Sequence, residues 1–197
     1  MRRQEPQCPK QACRRRDAGG VTWNQPKRKL LIEPLTREAF APFGEVIDAG
    51  SVPPKVINEG YARRFDDLAA IDVAAEGGQV NISWFVASVR PAPIAIRMME
   101  RHPLGSQLFM PLNASAWLLV VCADPRIVSG YRAFAATGRQ GVNYARNCWH
   151  HPLLVIEDAS PFLVVDRKGD GDNLEEYRLD EESWLQLEWA AASDTQA

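Results

Sequence analysis

Apolar residues in this chain arrive in short runs, and polar or turn-forming residues separate them. Val80-Asn81-Ile82-Ser83-Trp84-Phe85-Val86 is rich in β-branched and aromatic residues and reads as a strand. Pro91 and Pro93 break that run. Further strand-like runs cover 94–100, 108–110, 116–123, 131–135, 142–149, 153–157 and 162–166. They recur about every ten residues, with Pro, Gly, Asn or Asp between most of them. Two stretches carry a helical pattern instead. Thr36 to Gly44 reads as a short helix that Thr36 caps and Gly44 ends. Asp180 to Ala192 reads as an amphipathic helix, with Trp184, Leu185, Leu187 and Trp189 packed against the outside of the body. Residues 50–60, with Gly50, Pro53, Pro54 and Gly60, read as a loop. Many short strands and few helices predict a mainly β fold, whether sandwich, jelly roll or small barrel, with a few short peripheral helices.

Charge divides the chain unevenly. Its formal net charge of -2 gives no reason to expect nucleic acid or an anionic membrane as partner. Residues 1–29 nevertheless hold nine Arg and Lys against two acids, and the remainder holds fourteen against twenty-three. This sets the expected organisation: a basic tail over 1–29, a folded body over 30–178, and a C-terminal helix and tail over 179–197. The tail has no apolar core after its arginines, so it is no secretory signal. Glu5, Asp17, Pro6, Pro9 and Pro26 argue against an amphipathic transit helix, which leaves disorder or an over-extended translation start. No stretch approaches the roughly 20 apolar residues of a membrane helix. Cys8, Cys13, Cys122 and Cys148 form neither a disulfide framework nor a zinc spacing, and a reduced cytoplasmic protein is expected.

The candidate chemistry lies in the histidines. The chain has only three: His102 in one stretch, His150 and His151 in another. Imidazole suits proton transfer near neutral pH and metal ligation. If the first stretch is extended, Glu100 and His102 share a face and Arg101 opposes them. A turn at Pro103-Leu104-Gly105 can bring Gln107 back beside that pair. His150 and His151 cannot both face inward on a regular strand. One would share a face with Cys148 and Arg146, the other with Trp149 and Asn147, and strand pattern alone leaves the choice open. Glu100, His102, Gln107 and one of the two are a donor set for a divalent cation. Asn143, Tyr144, Arg146 and Asn147 make a polar cluster ahead of the pair, suited to substrate contact or to a solvated edge. Asp166 ends an apolar run and either orients a histidine or closes the strand with a charge. Arg63 offers a bidentate grip on a carboxylate, unless it is simply a surface cation. No G-x-S-x-G serine and no Gly-rich phosphate loop occurs.

Glu-x-His-x4-Gln has the spacing of the His-x-His-x4-Glu metal motif of cupin barrels, with one neutral nitrogen and one anionic oxygen fewer. Glu-Arg-His-Pro-Leu-Gly-Ser-Gln (100–107), Gly-Arg-Gln-Gly-Val-Asn-Tyr (138–144), Arg-Asn-Cys-Trp-His-His-Pro-Leu (146–153) and Phe-Leu-Val-Val-Asp-Arg (162–167) extend the likeness. On these residues the chain, from about Leu31 to Tyr177, resembles the ureidoglycolate lyases of allantoin and purine degradation. The resemblance implies a cupin-like double-stranded β-helix barrel, a homodimer, and cleavage of (S)-ureidoglycolate to glyoxylate and urea. For that cleavage the candidate catalytic residues are His102 and His150, with Glu100 fixing one imidazole and Gln107 beside them. His150 is preferred because the second cupin motif usually places its ligand at Trp-His. The residues themselves supply the candidates for substrate contact: Arg63, Asn143, Tyr144, Arg146, His151 and Asp166. Nickel is the associated metal, bound by Glu100, His102, Gln107 and His150, and no organic cofactor is expected. Two alternatives remain open: a related cupin enzyme that releases ammonia from a ureido or hydroxy acid, and a non-catalytic barrel that binds small acids.

Overall fold

The computed structural model describes residues 28–189. In chain order its elements are β1 (Arg28–Leu30), β2 (Ile32–Pro34), α1 (Arg37–Phe40), β3 (Gly44–Ile47), β4 (Lys55–Ile57), β5 (Ala62–Arg64) and β6 (Gln79–Ala87). Then follow β7 (Ile94–Ile96), β8 (Met98–Arg101), β9 (Gln107–Pro111), β10 (Trp117–Cys122), β11 (Arg132–Ala136) and β12 (Gly141–Tyr144). The last are β13 (Trp149–His150), β14 (Leu154–Val155), β15 (Ser160–Lys168), β16 (Glu175–Arg178) and β17 (Leu185–Leu187).

The run Trp117-Leu-Leu-Val-Val-Cys122 explains the layering. It is buried at every position, which demands cover on both faces. Trp117, Leu119 and Val121 enter one core with Phe109, Phe134, Val142, Tyr144, Phe162 and Val164. Leu118, Val120 and Cys122 enter a second core with Ile94, Ile96, Leu185 and Leu187. Three layers result. A central sheet runs β16-β8-β13-β10-β11-β2, with β14 also on β10. A facing sheet, β3-β12-β9-β15-β6, closes the first core. A small outer sheet, β1-β17-β7, closes the second. The chain crosses repeatedly between the central and facing sheets, from β8 to β9 to β10, from β12 to β13, and from β15 to β16. That winding is the predicted mainly β, cupin-like jelly roll.

Local details hold the layers in place. Thr36 Oγ1 accepts the amide of Ala39 and caps α1, a contact worth about 1 kcal/mol. Phe40 then enters the first core. Gly44 (φ 149°) lies opposite Tyr144, where a Cβ would stand 2.0 Å from the Asn143 carbonyl. A side chain there would force β3 off β12 and disturb the strand that carries Tyr144.

Three expectations need correction. The run 142–149 is two strands, not one: the chain turns at 145–148, and Asn147 adopts φ 66°. Asparagine tolerates this left-handed conformation better than most residues. Face-sharing across 146, 148 and 150 therefore does not hold. The helix expected from Asp180 is a short 3-10 turn, Glu181–Ser183, followed by β17. Leu185 and Leu187 alternate into the second core as strand residues do, and pair with Ile96 and Ile94. Residues 190–192 of that expected helix lie outside the described residues. The tail likewise lies outside them except for Arg28 and Lys29, which pair with β17 in β1. The loop expected over 50–60 contains β4, which forms a hairpin with β5.

Candidate active site

At one end of the space between the central and facing sheets the lining turns polar. On β8, Met99 enters the second core, so its neighbour Glu100 faces the first. β13 lies beside β8 with His150 directly opposite Glu100. Trp149 turns to the opposite face, against the second core, where Arg101 stacks 4.7 Å above its ring. His102 follows β8 at the corner and shares the inward direction of Glu100. One ligand atom each from Glu100, His102 and His150 falls within 4.8 Å of the others.

Hydrogen bonds fix how the imidazoles present themselves. His102 Nδ1 lies 2.7 Å from the carbonyl of Asn173, and His150 Nδ1 lies 2.9 Å from that of Cys148. A carbonyl only accepts, so both Nδ1 atoms carry the proton and donate. In a neutral ring this leaves each Nε2 as a lone pair. His150 Nε2 is buried without a hydrogen-bond partner, 3.6 Å from Glu100 Oε1, beyond hydrogen-bonding distance. The ring itself stacks on Tyr144 at 4.2 Å and 11°, which locks its orientation.

Burial lowers the pKa of His102, and nearby His150 adds to the effect, while the Asn173 carbonyl, Glu100 and Gln107 oppose it. The net effect favours neutral imidazole. Gln107 Oε1 stands 3.2 Å from His102 Nε2. A hydrogen bond there requires either imidazolium or the amide turned to offer its N–H. For Glu100 burial acts upward, but the contact with His150 and the charges of His150, His102 and His151 outweigh it, so the carboxyl sits below its ordinary value. An ionised carboxylate thus faces the Nε2 edges of the two rings. Burial raises the Tyr144 hydroxyl well above the usual value and the Cys148 thiol to about 12, which leaves both protonated near neutral pH.

The three groups fit a divalent cation. The buried, unpartnered Nε2 of His150 is the observation that supports this, since leaving such an atom unsatisfied costs about 1–3 kcal/mol. Two imidazoles and one carboxylate with converging lone pairs are a common donor set. The carbonyls of Asn173 and Cys148 act behind it, orienting the rings.

Of the residues expected from sequence, Glu100, His102, Gln107, Tyr144 and His150 come together. His151 does not join them. It is 3% exposed, and its Nδ1 donates to the Pro152 carbonyl at 2.7 Å. Asn143 faces the other side of β12, where its amide donates to Glu45 and the Ala70 carbonyl. Arg146 lies on the turn at 145–148, and 3.4 Å separates it from Asp72. The neighbouring amide of Asn147 donates to the His102 carbonyl, so that turn borders the site. Arg63 lies exposed on the β4–β5 hairpin, apart from the group. Asp166 continues the inward row of Phe162 and Val164 on β15.

Sequence reading passed over Asn173 and Asn81. Asn173 holds the corner at both ends, accepting His102 Nδ1 through its carbonyl and the Leu104 amide through its side chain. Asn81 donates to Asp166 across the sheet. The one local sign of Asn173 is its place after Gly169-Asp170-Gly171-Asp172, which reads only as a turn.

A family profile described as ureidoglycolate lyase matches residues 27–186. "Ureidoglycolate lyase 1" of Rhizobium meliloti (strain 1021) is 54% identical over 153 residues, 77% of this chain and 90% of that protein. "Ureidoglycolate lyase" of Stutzerimonas stutzeri (strain A1501) is 50% identical over 163 residues, 82% of this chain and 96% of the relative. Among solved structures, oxalate decarboxylase from Bacillus subtilis matches 55% of this chain at 17% identity, with a TM-score of 0.32. The match spans 29% of that longer chain.

Proposed function

The chain belongs to the ureidoglycolate lyase family, and on that premise we propose that it cleaves (S)-ureidoglycolate to glyoxylate and urea. The observation that carries the reading is the convergence of Glu100, His102 and His150 on one point within the barrel.

The reaction needs two proton movements. A base takes the proton from the substrate hydroxyl. The C–O electrons form the carbonyl of glyoxylate as the bond from that carbon to the ureido nitrogen breaks. An acid protonates the departing nitrogen, which leaves as urea, and no water is consumed. His150 Nε2 is placed to accept the first proton, because its lone pair has no other partner. Glu100 then stabilises the imidazolium that forms. The proton held by His150 then passes to the departing nitrogen, relayed through Nε2 of the neutral His102 beside it, so both rings end as they began. Each such transfer contributes roughly 10²–10⁴-fold. Arg146, on the bordering turn, holds the substrate carboxylate. Arg63 is exposed on the β4–β5 hairpin, whereas the turn of Arg146 is bonded to His102 through the Asn147 amide, so Arg146 is the better placed of the two. His151 shapes the wall behind His150, and Asn143 supports the site from the far side of β12.

Glu100, His102 and His150, with Gln107 beside them, would hold a divalent cation, nickel by the family resemblance. When bound, it supplies positive charge that lowers the pKa of the substrate hydroxyl. An Nε2 engaged by a cation is not free to take a proton, so a chelator separates the two uses of that lone pair.

A cytoplasmic homodimer belongs to the same proposal. Among the described residues no helix is long and apolar enough to cross a membrane. The outer face of β6 supports self-association. Val80, Ile82, Trp84 and Val86 all point outward and are more than half exposed, on the edge strand of the facing sheet. The central sheet has the outer sheet over its second face. No described layer covers the facing sheet. The stripe bears no charge, so a second copy laid across it meets no repulsion, and apolar patches of several hundred Å² mark such contacts.

The test is an assay of urea and glyoxylate release from (S)-ureidoglycolate by wild type, His102→Ala and His150→Ala. Losses of roughly 10²–10⁴-fold in kcat/KM are expected of both variants. Full activity in both would refute the site. Ammonia in place of urea would transfer the protein to the hydrolase alternative.

A further inference from the structure

Facing the histidines, the other sheet presents a polar row that ends in two side chains whose free atoms are acceptors. Tyr144 pairs with Gln107 across β12 and β9. One step along β15 from the Val165–Leu108 pair, Asp166 lies beside Gln107, and Asp166 pairs in turn with Asn81 of β6. All four take the inward direction of their strands. Asn81 Nδ2 donates to Asp166 Oδ1 at 2.8 Å and to Ser83 Oγ at 2.9 Å. A carboxylate only accepts, which fixes the Asn81 amide with its nitrogen toward Asp166. Both N–H groups of that amide are thereby used, and its oxygen remains free to accept. Asp166 Oδ2 is free likewise. Among the described residues no cation stands against Asp166.

We infer that Asp166 and Asn81 form the subsite for the ureido end of the substrate and select for it. The inference rests on the lyase reading and adds direction to it. A ureido group is rich in N–H donors at its terminal NH2 and its internal N–H. Asp166 Oδ2 and the Asn81 oxygen are acceptors on one wall, the counterpart of that pattern. The same wall repels a carboxylate. Ureidoglycolate therefore enters with its ureido end toward β15 and β6 and its carboxylate toward Arg146. That orientation leaves the hydroxyl-bearing carbon between the recognition wall and the two imidazoles. Asn81 has a second effect: by occupying Oδ1 it holds the Asp166 carboxylate in one orientation and leaves Oδ2 for the ligand.

The test uses binding, so that it stands apart from turnover. The probes are N-carbamoylglycine, a ureido acid with no hydroxyl to be cleaved, and glyoxylate, an acid with no ureido group. Calorimetry on the full chain gives their dissociation constants for wild type and Asp166→Asn. Losing a charged acceptor should weaken N-carbamoylglycine about 10- to 100-fold and leave glyoxylate within about threefold, or tighter. Equal losses for both ligands would overturn the inference, since a merely structural pair would injure both alike. No loss for the ureido acid would overturn it too. If Asp166→Asn does not fold, Asn81→Ser replaces it, with the same ureido-selective loss expected at about 3- to 10-fold. Urea release by wild type is measured alongside. Its absence refutes the lyase reading, while the binding ratio still decides the role of Asp166.

Discussion

Acid should separate the two adjacent histidines. His151 is buried, and that burial holds its pKa down to about 4, although the Pro152 carbonyl acts in the opposite direction. In the unfolded chain the ring titrates near its usual value of about 6.5. Between those two values the unfolded state binds the proton and the folded state does not, so stability rises with pH. The contribution is fully present above about pH 6.5, declines through the window below it, and is lost by about pH 4. At about pH 4.5 the two values give a loss of about 2.5 kcal/mol relative to neutral pH. The perturbation is His151→Gln, which keeps an N–H for the Pro152 carbonyl and does not titrate. Urea unfolding of both proteins, at one protein concentration and at about pH 7 and about pH 4.5, supplies the comparison. His102 is also held low, so the wild type loses more than this amount, and the informative quantity is the difference between the two proteins. His151→Gln should lose about 2.5 kcal/mol less on acidification. Equal acid losses would refute the assignment of His151 as a buried, neutral residue and reopen it as a proton donor at the site.

Two further outcomes follow from the geometry. Removing divalent cations with a chelator, with metal analysis before and after, should abolish turnover if Glu100, His102 and His150 hold a cation; unchanged activity with no metal in the protein would leave the imidazoles as the acid and base. Trp84→Glu places a charge in the uncovered apolar stripe of β6 and should shift sedimentation from dimer to monomer while the chain keeps its folded circular-dichroism spectrum; a monomeric wild type, or a variant that stays dimeric, would refute that interface.

Much of the architecture could be read from local pattern. The six apolar residues of β10 called for cover on both faces, and two cores provide it. β6 and β15 stand near the positions their β-branched runs predict, each extended by a few residues. The errors arose where a local pattern had two readings. Trp184-Leu185-Gln186-Leu187 fits one helical turn as well as a three-residue strand, and pairing with β7, some ninety residues away, selects the strand. Glu100, His102 and Gln107 were legible because one corner holds them all. The choice of His150 was not legible from parity, because Asn147 breaks the strand on which parity depended. Its place is set by pairing with Glu100, a tertiary contact. Asn81 was invisible for the same reason: within β6 it is one polar residue of an alternating strand, and only the register with Asp166 gives it a role.

The division of labour between the sheets has a chemical consequence. The groups whose lone pairs take and return protons, His102 and His150, belong to the β8 corner and β13 of the central sheet. Asp166 and Asn81 belong to the facing sheet, and as acceptors they can hold the ureido N–H groups but have no proton to give. The proton that completes urea must then come from the histidine wall, from the same side that removed the hydroxyl proton. One imidazole pair therefore shuttles a proton between two atoms bonded to one carbon, a path short enough to need no movement of the substrate. Changes on the two walls should show different kinetics. Asp166→Asn removes contacts made equally in ground and transition states and should act mainly on KM, whereas His150→Ala removes an interaction made in the transition state and should act on kcat. A fall in kcat alone for Asp166→Asn would mean that the carboxylate takes part in the proton transfer, and the two-wall arrangement would have to be abandoned.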